Sequence, residues 1–138
     1  MAFKFGLRSK SNLSFVHPDL VALAYKALEL STVDFVVTEG KRTKARQREL
    51  FKSGLSKTLN SRHLQGFAID VAALYGGKVT WNWQPYEDIA KAFKEASKEL
   101  GIPVEWGGEF AGFRDGPHFQ LPHSDYPDVK DATAGEQA

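Results

Sequence analysis

The pair Gly76-Gly77 is the sequence feature that most restricts how this chain can fold. From Phe67 onward, apolar side chains occupy every second position, as in a strand with one buried face. Gly76-Gly77 separates this run from a second strand-like run, 78–81. Glycine adopts the positive φ angles that a two-residue β-turn needs, so this spacing predicts a tight hairpin. In the first strand, Phe67 and every second residue after it form an apolar face. The opposite face carries Asp70 between two alanines.

The remaining elements are predicted from periodicity and from residues that begin and end helices. Apolar residues three and four positions apart predict helices, and short runs of β-branched and aromatic residues predict strands. The predicted helices are 18–30, a second that Thr43 begins and that reaches Gly54, and 86–100, which Gly101 ends. The other predicted strands are 34–38, 104–106 and 118–121. The glycine-rich loop 107–117 should lie at the functional site.

Length and composition indicate one folded domain. The chain has 138 residues, of which 42% are hydrophobic and 12% aromatic, enough to form a core without disulfides. We expect the domain to span 1–122 and residues 123–138 to form a flexible tail. The first residues lack the apolar stretch of a signal peptide, and no run is long enough to cross a membrane. We therefore expect synthesis in the cytoplasm.

The absence of cysteine restricts any metal site to histidine and carboxylate ligands. His63 and Asp70 are seven positions apart, a spacing that would place them on opposite faces of a continuous strand. A turn at Gly66 would bring both to one side, and Ala68 and Ala72 leave room beside Asp70. Taken singly, each residue also has an ordinary interpretation, as a loop histidine and a capping aspartate.

The segment 115–120, with sequence DGPHFQ, adds a further candidate ligand. On a strand that begins at His118, this residue and Gln120 share a face. Two imidazoles and one carboxylate leave a fourth position for water, as in catalytic zinc sites, although the set also suits other divalent ions. Asp115 is a candidate to take a proton from that water, and Arg42 to stabilise charge on the scissile carbonyl oxygen. A turn aspartate and a surface arginine are the ordinary alternatives.

These motifs resemble those of D-alanyl-D-alanine carboxypeptidases and VanY/VanX-like zinc peptidases. In chain order the matching blocks are Ser61-x-His63 through Ala68-x-Asp70, Trp106-Gly107-Gly108, and Asp115-x-x-His118. An upstream arginine motif, Arg42-Thr43 with Gln47 and Leu50, extends the resemblance over roughly residues 15 to 121. The compact size and the opening segment resemble, more narrowly, the phage L-alanyl-D-glutamate endopeptidases.

The resemblance implies a fold and a set of residue roles. The fold would be α+β, a single domain with a small central antiparallel sheet and flanking helices, as in the Hedgehog/D,D-peptidase group. The implied zinc ligands are His63, Asp70 and His118. The implied catalytic residues are Asp115, as general acid/base, and Arg42, which would stabilise the transition state. Weaker correspondences suggest substrate contacts for Gln47, Ser61 and Trp106.

The resemblance also implies a substrate and partners. The substrate would be the stem peptide of bacterial peptidoglycan, cleaved at its L-alanyl-D-glutamate bond by a monomeric enzyme with Zn²⁺ as cofactor. A phage membrane-permeabilising protein, a holin, would let the enzyme reach the cell wall. Two positions depart from the wider family: Phe110 replaces a common tryptophan, and Asp115 replaces the glutamate of many carboxypeptidases. Neither departure removes a metal ligand.

Three other functions stay open at this point. A D,D- or L,D-carboxypeptidase acting on the same stem peptide would use the same metal chemistry. A zinc-containing binding module without activity is a second alternative, although an intact Asp115 argues against it. A nucleic-acid-binding protein is suggested by the basic run 41–48. The net charge of only +1, and the lack of a nucleic-acid-binding motif, count against that third alternative.

Overall fold

An antiparallel sheet lies at the centre of the protein in the computed structural model, which describes residues 3–56, 58, 61–112 and 114–128. The strands are β1 (Asp34–Glu39), β2 (Ala68–Tyr75), β3 (Lys78–Thr80), β4 (Glu105–Trp106) and β5 (His118–Gln120). Their order is β1-β2-β5-β4, and β3 pairs with the end of β2. The predicted α+β class with a small antiparallel sheet is confirmed.

The predicted hairpin joins β2 to β3. Gly76 and Gly77 have φ angles of 59° and 81°, and Tyr75 lies opposite Lys78. Positive φ at both central residues favours glycine, because a Cβ atom is strained there. The two glycines therefore set the register in which β3 pairs with β2.

Four helices accompany the sheet. They are α1 (Leu7–Leu13), α2 (Pro18–Leu30), α3 (Lys44–Lys52) and α4 (Trp83–Leu100). The three predicted helices are confirmed, although α4 begins three residues earlier than expected and α3 ends at Lys52, two residues before Gly54. The Thr43 side chain caps α3 by accepting a hydrogen bond from the amide of Arg46, and Gly101 ends α4 in the left-handed conformation. Among the described residues, no helix is both long and apolar enough to span a membrane.

Helix α1 was not predicted, because it is short and its N-cap residue makes no side-chain hydrogen bond. It covers the outer edge of β1. The buried hydroxyl of Ser9 accepts a hydrogen bond from the Val37 amide at 3.0 Å, and the Asn12 amide donates to the Val37 carbonyl at 2.8 Å. These contacts satisfy edge groups that would otherwise be free to pair with another strand.

The hydrophobic core lies where α2 and α4 pack together against the sheet. Phe119, on β5, is fully buried, and its ring stacks on Phe93 of α4 with centroids 4.0 Å apart. Burial of one such ring contributes about 1.5–3 kcal/mol. Because side chains alternate along a strand, this anchor directs His118 and Gln120 to the opposite face of β5.

The chain continues to contact the domain beyond Pro122. The Tyr126 hydroxyl donates a hydrogen bond to Asp19 at 2.6 Å, and Asp128 pairs with Arg62 at 3.1 Å. The hydrogen bond to Asp19 raises the pKa of Tyr126 to about 12. Two residues of the tail that was predicted to be flexible, Tyr126 and Asp128, therefore contact the folded domain. Residues 129–138 lie outside the described part of the chain.

Candidate active site

His63 is placed by a single 3₁₀ turn, Arg62–Gln65. The Ser61 hydroxyl caps this turn by accepting a hydrogen bond from the His63 amide at 3.1 Å. Gly66 ends it with a φ of 76°, and a Cβ atom there would lie 2.8 Å from the Phe15 carbonyl oxygen. The turn predicted between His63 and Asp70 is therefore present, and both its conformation and its close packing require glycine.

Asp70 and His118 are directly opposite each other on the paired strands β2 and β5. Asp70 Oδ1 lies 3.2 Å from His118 Nδ1 and 3.4 Å from His63 Nε2. The three residues offer ligand atoms that all lie within 4.8 Å of one another. The structure thus brings together the three residues that the sequence analysis selected, in a group that could hold a metal ion.

The His63 imidazole is held in a tautomer that can bind a metal. His63 Nδ1 lies 2.8 Å from the Gly40 carbonyl oxygen, which can only accept, so Nδ1 carries the hydrogen. The lone pair of His63 is then on Nε2, a buried atom with no hydrogen-bond partner among the described residues. A buried nitrogen without such a partner is costly unless it binds something, and a metal ion would satisfy it.

His118 is held in the complementary tautomer by Gln120. Gln120 Nε2 donates to the Glu105 carboxylate at 2.9 Å, which turns its Oε1 towards His118 Nε2 at 2.7 Å. The hydrogen of His118 therefore lies on Nε2, and Nδ1 faces Asp70. The sequence analysis placed Gln120 beside His118 but gave it no role, and it did not identify Glu105.

We expect Gln120→Met to weaken metal binding by about 10- to 100-fold, because the variant keeps the side-chain volume but no longer fixes the imidazole tautomer. Competition with a fluorescent zinc chelator would measure the dissociation constant. Gln84→Met, a change on the exposed face of α4, is the matched control and should leave the constant unchanged. Equal affinities in Gln120→Met and the unaltered protein would contradict this role.

The charges of the group are strongly coupled. Burial by itself raises the pKa of Asp70, but the imidazoles of His118 and His63 outweigh it and hold that pKa well below its usual range. Burial lowers the pKa of His118, and the contact with the Asp70 carboxylate reverses this effect, so the net shift is upward. In the metal-free protein a proton on His118 therefore competes with a metal ion for the site.

Asp115 is positioned by the loop that joins β4 to β5. Its amide donates to the Gly107 carbonyl at 2.9 Å, and its own carbonyl accepts from the His118 amide at 3.2 Å. A Cβ atom on Gly107 would lie 2.3 Å from the Asp115 carbonyl oxygen, so only glycine allows this approach. Burial, followed by the charge of Asp70, raises the pKa of Asp115. The carboxyl group is thus within electrostatic range of the metal-binding group.

Arg42 is more tightly held than a surface arginine. Its guanidinium contacts both oxygens of Glu39, at 2.7 and 3.1 Å, and also Gln47 Oε1 at 2.9 Å and Asp70 Oδ2 at 3.2 Å. Its side chain is only 11% exposed. These contacts use all but one of its N–H groups. Within the described residues, one hydrogen, on Nη1, is left for a substrate oxygen.

The three residues suggested as substrate contacts form hydrogen bonds within the protein. Gln47, 1% exposed, accepts from Arg42 and donates to Ser56 and the Thr58 carbonyl. Ser61 caps the turn of His63, and Trp106 Nε1 donates to the Gly116 carbonyl at 2.7 Å. These bonds give Gln47, Ser61 and Trp106 positioning roles, and the substrate contacts expected from sequence stay predictions.

Comparison with known proteins places this geometry in a family. Residues 1–121 match a family model described as phage L-alanyl-D-glutamate peptidase. The L-alanyl-D-glutamate peptidase of Escherichia phage T5 is 37% identical over 136 residues, which cover 88% of this chain and 99% of that protein. The L-alanyl-D-glutamate peptidase of Listeria phage A118 is 35% identical over 122 residues, 86% of this chain but only 42% of that protein.

A solved structure agrees with both relatives. The L-Ala D-Glu endopeptidase ChiX of Serratia marcescens is 52% identical, with a TM-score of 0.85, over 91% of this chain and 95% of that one. At this coverage the likeness extends over most of both chains. The chain belongs to the phage L-alanyl-D-glutamate peptidase family.

Proposed function

We propose that this protein is a zinc-dependent peptidoglycan peptidase that hydrolyses the L-alanyl-D-glutamate bond of the stem peptide. The observation that carries the proposal is the convergence of His63, Asp70 and His118 near the half-buried Asp115. A cysteine-free set of two imidazoles and one carboxylate is typical of catalytic zinc. Membership of the family supports the choice of bond.

The residues divide the chemistry between them. His63, Asp70 and His118 hold the metal, which when bound supplies a Lewis acid that makes water more acidic and polarises the scissile carbonyl. Asp115 takes a proton from the attacking water and passes it to the leaving amine. Arg42, fixed by Glu39 and Gln47, directs its remaining N–H group at the oxygen on which charge develops.

The alternative functions receive less support. The named relatives are L-alanyl-D-glutamate peptidases, which favours that bond over the terminal D-alanine bond of a carboxypeptidase. The basic run does not form a free cationic face, because the half-buried Arg42 is paired with Glu39 and Asp70, and Arg46 lies 3.7 Å from Glu39. This argues against nucleic-acid binding.

Chelation and reconstitution test the proposal. The metal-free protein should not cleave purified peptidoglycan, one equivalent of zinc should restore cleavage, and mass spectrometry should find new D-glutamate N-termini. Free D-alanine as the main product would replace the proposal with the carboxypeptidase alternative. Zinc binding without any product would leave a binding module, and activity that is unaffected by chelation would refute the metal mechanism.

The phage relatives also support a proposal for how the protein acts in the cell. We propose that a monomer is made in the cytoplasm of an infected bacterium and reaches the wall after a holin permeabilises the membrane. Expression alone should then leave cells intact, and expression with a holin should lyse them. Lysis without a holin would contradict this route, and light scattering would measure the oligomeric state.

A further inference from the structure

Arg114, on the loop that carries Asp115, is held by two contacts. Its Nε donates to the Gly108 carbonyl at 3.0 Å, and its guanidinium carbon lies 4.2 Å from the centroid of the Trp83 ring. Stacking on indole and a hydrogen bond through Nε together fix the plane of the guanidinium group. Arg114 is therefore oriented in advance although it is exposed.

The two terminal nitrogens of Arg114 are available to a ligand. Within the described residues, neither forms a hydrogen bond or an ion pair. Nearby cationic side chains differ in this respect, since Arg42 is bound to Glu39 and Asp70, and Lys94 is paired with Glu109. Parallel N–H groups on a fixed guanidinium match the geometry of a carboxylate. Arg114 thus presents a fork of N–H groups that suits a carboxylate.

Arg114 lies on the loop that borders the candidate active site. Arg114 precedes Asp115, and its anchor, Gly108, follows Gly107, where an added Cβ would lie 2.9 Å from the Cβ of His118. Its stacking partner Trp83 packs against Gly116, the residue that follows Asp115. The same short loop therefore positions the base and the arginine.

The chemistry of the proposed substrate supplies a suitable anion. The amine of the D-glutamate forms the bond that is cleaved. Glutamate has two carboxyl groups, and only one of them can continue the stem peptide through an amide. The other is a carboxylate within a few bonds of the leaving nitrogen, unless it is amidated. Most N–H groups of Arg42 are already bonded to the protein, so Arg42 has little capacity left for this carboxylate.

We propose that Arg114 binds the free carboxylate of the substrate's D-glutamate and thereby makes the enzyme select glutamate over its amidated form. This inference rests on the proposed function and adds a specificity-determining residue to it. Trp83 is a positioning residue, because it acts through the guanidinium of Arg114.

Two synthetic peptides test the proposal. Both have the sequence acetyl-L-Ala-D-Glu-L-Lys-amide, linked through the glutamate side chain, and they differ only in whether the remaining glutamate group is a carboxylate or a carboxamide. We expect the unaltered enzyme to show a kcat/KM about 10- to 100-fold higher for the carboxylate peptide. Arg114→Gln should remove most of this preference by lowering only the carboxylate rate. Arg114→Lys should retain part of it.

Arg48→Gln, on the exposed face of α3, is the matched control and should keep the full preference. An equal loss on both peptides in Arg114→Gln would overturn the proposal and assign Arg114 a structural role. A third peptide, in which the lysine has a free C-terminal carboxylate, distinguishes the two possible anions. If Arg114 raises kcat/KM only for this peptide, it binds the C-terminal carboxylate and not that of glutamate. Cleavage of the L-alanyl-D-glutamate bond in either peptide by the unaltered enzyme tests the proposed function, whatever the ratio of the two rates.

Discussion

Asp115→Asn should lower kcat for stem-peptide hydrolysis by about 10²- to 10⁴-fold while the protein keeps its zinc. The asparagine side chain has nearly the same shape but cannot accept a proton at neutral pH. Within the described residues the Asp115 side chain makes no hydrogen bond, and its loop is fixed by backbone bonds to Gly107 and His118 that the variant retains. The fold and the metal-binding group should therefore be preserved, and only proton transfer should be lost.

The measurement is kcat on a defined L-alanyl-D-glutamate peptide, with zinc content determined on the same samples by elemental analysis. Asp125→Asn, at an exposed position, is the matched control and should have unchanged kcat. A near-normal kcat in Asp115→Asn at full zinc occupancy would show that another group acts as the base. Loss of zinc together with activity would instead show that Asp115 supports the metal-binding group.

The elements of the fold that sequence identified were those with strong local signals. The helix that ends at Gly101 and the hairpin at Gly76-Gly77 are determined by periodicity and by glycines that need positive φ. Helix α1 has no comparable signal, because its stability comes from tertiary hydrogen bonds between Ser9 or Asn12 and β1. Such contacts join residues 25 to 28 positions apart, and local pattern does not reveal them.

The metal-binding group was predictable for a related reason. A chain without cysteine leaves only histidine and carboxylate side chains as metal ligands. The spacing of His63 and Asp70 then predicts the turn at Gly66. The supporting residues were not predictable in the same way. Gln47 was correctly placed on a buried helix face, but the partner of its amide, Arg42, depends on how α3 packs. Sequence therefore identifies ligand types better than it identifies what orients them.

Asp70→Asn should weaken zinc binding by more than about 100-fold and remove activity at equimolar zinc. Asp70 is the one anionic residue of the group, and the two imidazoles are neutral when they bind a metal. The substitution also leaves the Arg42 guanidinium, 3.2 Å from Asp70 Oδ2, without one of its counter-charges. That cation would then repel a divalent ion. Chelator competition would measure affinity, with Asp88→Asn on α4 as the matched control.

The same variant gives a second test that needs no metal. Burial lowers the pKa of His118, and the Asp70 carboxylate is the main group that raises it above the usual value. Without that carboxylate, the burial effect is no longer outweighed, and the pKa of His118 should fall. NMR titration of the metal-free protein would follow the imidazole directly. A lower His118 pKa with unchanged zinc affinity would mean that Asp70 is a charge partner of His118 and not a ligand. A lower pKa together with weaker zinc binding would show that Asp70 has both roles.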